Sequence, residues 1–91
     1  MNNRTLYFPD EVTGVTVKPL DFGTAVIGIG DHTRFVVKGF KYIYESSTYP
    51  RTVVPTEVVE VSGTEWHITF YNMDKNKSAN ITVNSVLASG D

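Results

Sequence analysis

Residues 58–71 read VVEVSGTEWHITFY, and this stretch decides the fold class. Val59 and Val61 alternate with Val58 and Glu60. Trp66, Ile68 and Phe70 alternate with Glu65, His67, Thr69 and Tyr71. Period two over this length marks strands with one buried face. Ser62-Gly63 is turn material, and a two-residue loop there sets Val59 opposite Trp66 and Glu60 opposite Glu65. The polar run Asp74-Lys75-Asn76-Lys77 follows, after which Ala79, Ile81, Val83 and Ser85 alternate with Asn80, Thr82 and Asn84. A four-residue loop at Asp74–Lys77 pairs Phe70 with Ile81, Ile68 with Val83, and His67 with Asn84. Nearly all large apolar residues of this meander then share one face, and a one-residue slip would turn a whole strand over. Trp66 reads as an anchor of the core.

The N-terminal half continues in strands. Leu6 and Phe8 alternate with Thr5 and Tyr7, Pro9-Asp10 signals a turn, and Val15 and Val17 alternate with Thr16 and Lys18 up to Pro19. Residues 23–30, GTAVIGIG, are apolar in both phases. A turn at Asp31-His32 returns the chain as a long strand from Arg34 to Tyr44, with Gly28 opposite Phe35 and Val26 opposite Val37. The other face of this hairpin then carries Ile27, Ile29, Arg34, Val36 and Lys38. A strand apolar on both faces belongs in the middle of a sandwich or at an oligomer contact. Gly39 marks a bulge, which would send Phe40, Tyr42 and Tyr44 to the core and Lys41 outward. Residues 46–56, SSTYPRTVVPT, read as a loop with at most a short edge strand at Thr52–Val54 and a candidate cis bond at Tyr49-Pro50. No sustained period of 3.6 occurs, so helix is confined to single turns near Asp10–Gly14 or Val86–Ala88. The expectation is one β-rich domain over residues 1–91. It is an all-β antiparallel sandwich or partly open barrel of six to seven strands.

Charge and composition narrow the function. The 91 residues carry a net charge of -2, which disfavours a dedicated duplex-DNA binder. The charge is uneven. Arg34, Lys38, Lys41 and Arg51 stand against Glu45 alone, so residues 34–51 are net +3 and the remainder is -5. There is no cysteine, which removes disulfides and thiolate zinc sites and fits a reducing compartment. No apolar h-region follows Met1, and no apolar run approaches the ~20 residues of a membrane helix. The expected location is therefore cytoplasmic or within a virus particle. The acceptor patterns at Asn3, Asn76 and Asn80 then have no glycosylation role.

Three regions invite chemistry. Glu60, Glu65 and His67 offer two carboxylates and an imidazole, a set suited to a cation or a shared proton, but an exposed hairpin with screened charges is the reading to prefer. The basic, aromatic set Lys38, Lys41, Tyr42, Tyr44 and Arg51 has the residue types that bind single-stranded nucleic acid or a nucleotide. Aromatics on a strand more often pack inward. The loop at 46–56 carries Tyr49 and Arg51, residue types favoured as interface anchors. Gly28-Ile29-Gly30 is not a dinucleotide fingerprint, since Thr33 stands where the third glycine belongs and no helix follows. No nucleophile elbow occurs. The sequence points to a non-enzymatic protein-interaction module, self-associating, of the kind that serves as an assembly subunit, adaptor or small inhibitor, including viral ones. Its partner surface would hold Ile27, Ile29, Arg34, Val36, Lys38, Tyr49 and Arg51. Nucleic-acid binding through 34–51 is the alternative, and no cofactor, metal or membrane role is expected.

Overall fold

The computed structural model of the chain describes residues 5–44 and 51–89. They form seven strands: β1 (Leu6–Tyr7), β2 (Thr13–Val17), β3 (Phe22–Gly28), β4 (Phe35–Tyr44), β5 (Val53–Ser62), β6 (Glu65–Asn72) and β7 (Ala79–Ser89). Among the described residues there is no helix, and the candidate helical turns are absent. Residues 86–88 continue β7, whose buried alternation runs from Ile81 to Leu87 before Ala88 is buried as well.

Two antiparallel sheets face each other. In the first, β7 is central, with β4 on one side and β1 and β2 end to end on the other. In the second, β6 is central between β3 and β5. No strand ladder joins the two sheets among the described residues. Ile68 and Phe70 of β6 and Ile81, Val83 and Leu87 of β7 turn inward and form the core with Val17, Ala25, Ile27, Val37 and Val53. Each large side chain buried there contributes about 1.5–3 kcal/mol relative to exposure.

Two expected hairpins are corrected. β6 does not pair with β7. Residues 73–78 carry the chain from one sheet to the other, so Phe70 and Ile68 have Gly23 and Ala25 as ladder partners, and Ile81 and Val83 have Val15 and Thr13. Nor does β3 pair with β4: Gly28 lies opposite Glu65 and Val26 opposite His67, while β4 runs along β7. The inward sets were legible because alternation assigns faces. Alternation does not say whether two apolar faces meet edge to edge within one sheet or face to face across the sandwich.

Sheet exchange inverts β3. Ala25 and Ile27 lie beside Ile68 and Trp66 and point inward, leaving Val26 and Phe22 outside. β4 follows the bulged reading. Its ladder slips between Val37 and Gly39, and Phe40, Tyr42 and Tyr44 all pack on the core. Tyr42 meets Phe70 edge-on at 5.1 Å between ring centroids. The expected loop at 46–56 is corrected: residues 53–56 open the ten-residue β5, with Arg51 and Thr52 just before it, while residues 46–50, with the candidate cis bond at Tyr49-Pro50, lie outside the described residues.

Candidate interaction surface

Half of β5 is valine, a residue that favours extended backbone, yet every residue of it after Val53 is exposed. It pairs with β6 alone, so its other edge is open among the described residues. The ladder to β6 slips between Pro55 and Glu57 and again between Glu60 and Ser62. Between these irregularities Glu57, Val58, Val59 and Glu60 run in plain register with Thr69, Ile68, His67 and Trp66. Val59 shares the outer face with His67, and Val58 the inner face with Ile68.

On the outer face of the β3–β6–β5 sheet two rows of apolar side chains flank the polar row Thr24, Thr69 and Glu57. Phe22 of β3 is 60 % exposed and meets Tyr71 of β6 in a tilted ring contact at 4.8 Å between centroids, and Val54 of β5 lies opposite Tyr71. Further along, Val26 (50 % exposed) and Val59 flank His67. Val61 adds a 53 % exposed side chain near the tip. The charges of this region have one sign: from Thr52 to Asn72 the chain holds Glu57, Glu60 and Glu65 and no lysine or arginine. Among the described residues neither Glu57 nor Glu60 has an ion-pair partner.

The other candidates arrange differently. His67 Nε2 lies 2.6 Å from Glu65 Oε2 on the outer face. Glu60 is opposite Trp66 instead of Glu65, because the extra residue at Val61 shifts the register and turns Glu60 to the other face. Among the described residues no three His, Cys, Asp or Glu side chains converge on a metal position. Of the expected partner surface, Ile27 is 4 % exposed and sits in the core, which corrects its expected place on an outer face. Ile29 is half-buried against the core, and Val36 is half-buried beside Gly63. Arg34 and Lys38 are exposed. Arg51 lies 5.4 Å from the centre of the Tyr44 ring, and Tyr49 is outside the described residues. Of the nucleic-acid set, Lys38 and Lys41 are exposed, but Tyr42 and Tyr44 face inward, and the Tyr44 hydroxyl is bound to the Val53 backbone.

A cleft of about 200 Å³ opens where the chain leaves β7 between β1 and β2. Glu11, Thr13, Ile27, Ile29 and Ser85 line it. Its polar groups are engaged internally: Ser85 Oγ donates to the Gly28 carbonyl at 3.0 Å, Thr13 Oγ1 donates to Val26 at 3.2 Å, and Glu11 lies 3.6 Å from His32.

The β5 surface is hidden in the sequence because alternation alone places Val59 and Val61 on the core face with Trp66. Its signal was nonetheless present in Val53-Val54 and Val58-Val59, adjacent valine pairs that put apolar groups on both faces of one strand. No protein-family model, curated protein or solved structure matches this chain.

Proposed function

We propose that this chain is a non-enzymatic protein-binding module whose contact element is β5. The observation that carries the reading is a ten-residue, valine-rich strand exposed along an open sheet edge. An edge of this kind is a template for another strand, and strand addition is a recurring mode of protein recognition. Pro55 and the two register slips blunt the ends of β5 and leave Glu57–Glu60 as the regular stretch on which a partner strand fits. A strand laid there would satisfy the outward backbone groups and cover Val58 and Val59. The uncompensated acids Glu57 and Glu60 favour a partner carrying basic residues at that height.

A photo-reactive residue placed at Val59, with another at Asn80 on the opposite sheet as control, tests this in the cell that makes the protein. The expected result is covalent protein adducts from position 59 and none from position 80. No adduct from position 59, or equal yields from both, would overturn the proposal.

A further inference from the structure

We infer that the strand added to β5 is β4 of a second copy, with two copies joined about a two-fold axis parallel to the strands. This rests on β5 being the contact element and names its occupant. β4 is the other edge on the same side of the sandwich: it pairs with β7 alone among the described residues and is also ten residues long. The two edges run antiparallel within one copy. Val37 N donates to the Gly63 carbonyl at 2.8 Å near one end, and Val53 N donates to the Tyr44 hydroxyl at 2.6 Å near the other.

A two-fold axis along the strands keeps every residue at its own height, so β4 of one copy meets β5 of the other in the antiparallel sense, and the reciprocal contact forms by symmetry. The heights match by charge. On the β7 ladder Lys41 lies three steps from Tyr44, from Asn84 to Ile81. On the β6 ladder Glu57 lies three steps from Val53, from Thr69 to Asn72, because the slip after Pro55 absorbs one residue. Lys41 therefore comes level with Glu57 of the second copy. Lys41 lies opposite Asn84, which alternates with the inward Val83 and Ser85, and Glu57 lies opposite Thr69, which alternates with the inward Ile68 and Phe70. Both side chains thus occupy the outer face of the joined sheet. Pairing β5 with itself has no such match. A two-fold axis through Val58 sets Glu57 against Val59 and Glu60 against Thr56, and one through Val59 sets Glu57 against Val61 and Glu60 against Val58, so neither acid meets a basic residue. The same contact would cover Val58 and the rims of Phe40 and Tyr42 on the open side.

The test is sedimentation of the full chain over a range of concentrations at low salt, with K41E, E57K and the double variant K41E/E57K. The wild type is expected to dimerise. Each single reversal places like charges at both symmetry-related contacts and should weaken the dimer roughly tenfold or more, and the double variant should recover most of that loss. A wild type that stays monomeric at every concentration overturns the inference, as does a double variant as weak as the singles while circular dichroism shows all four folded. The two readings separate through Val59. A monomer whose position 59 still cross-links to another protein removes the second copy and leaves β5 as the contact element, whereas a monomer without adducts removes both.

Discussion

The side-chain amide of Asn72 donates to the carbonyl of Val17 at 3.0 Å, tying the end of β6 to the end of β2 in the opposite sheet. Asn72 is fully buried, and its other bonds complete the set: Nδ2 also donates to Lys77 O at 2.9 Å, while Oδ1 accepts from Thr52 Oγ1 at 2.8 Å and Asp74 N at 2.9 Å. All four valences of the amide are used. Replacing it with leucine keeps the volume and strands several backbone groups away from water. Asn72→Leu should lower stability by about 3 kcal/mol in urea unfolding, even though it makes the core more apolar. An unchanged midpoint would mean that the amide does not hold the sheets together.

Next to it, Asp74 organises the crossing from β6 to β7. Its Oδ1 accepts from Asn76 N at 2.7 Å and Lys77 N at 2.8 Å, and these backbone donors hold its pKa below the ordinary 3.8. A carboxyl with a lowered folded pKa stabilises the fold above its unfolded value, and that contribution disappears as pH falls through the folded value. Wild type should therefore melt above Asp74→Ala at neutral pH, and the gap should close below pH 3.8. A gap that persisted at lower pH would assign the effect to something other than the carboxylate.

Gly28 sits where the β5–β6 turn crosses the end of β3. A Cβ there would lie 2.9 Å from the Thr64 carbonyl, a backbone atom that cannot rotate away. Gly28→Ala should cost about 1–3 kcal/mol by forcing the turn outward. Thermal melting provides the check, with Gly14→Ala as control because nothing lies within 4 Å of the Cβ it would add.

The Tyr44 hydroxyl closes the other end of the open side, accepting from Val53 N at 2.6 Å and donating to Val53 O at 3.0 Å. Tyr44→Phe keeps the ring and removes both bonds, so it should destabilise by about 1–2 kcal/mol. It should also speed amide exchange at Val53 more than in the centre of β6. Uniform exchange throughout would indicate that the hydroxyl does not pin the start of β5.

The sequence showed the inward residues of β6 and β7 clearly, since Ile68, Phe70, Ile81 and Val83 alternate without interruption. It also located the slip beside Gly39, because a glycine within an aromatic run suits a bulge. Strand partners were not legible. The six residues from Met73 to Ser78 read as well for a hairpin as for a crossing between sheets, and the signal for the crossing was Asn72, a polar residue at an inward phase whose bonds reach β2. The turn at 62–65 misled by one residue. Val61 is accommodated as an extra residue, and that shift separates Glu60 from Glu65. The interaction surface was displaced for the same reason: once β3 pairs with β6, Ile27 turns into the core and the exposed valines fall on β5.

The pairing of β4 with β5 of a second copy is tested most directly by amide hydrogen exchange on dilute and concentrated protein. The outward amides of an unpaired edge exchange readily, and those within a ladder are protected. Raising the concentration should protect residues 38–43 and 57–60 together and leave β1, β2 and β3 unchanged. Protection that does not depend on concentration, or that gathers on β3 instead, would contradict the account.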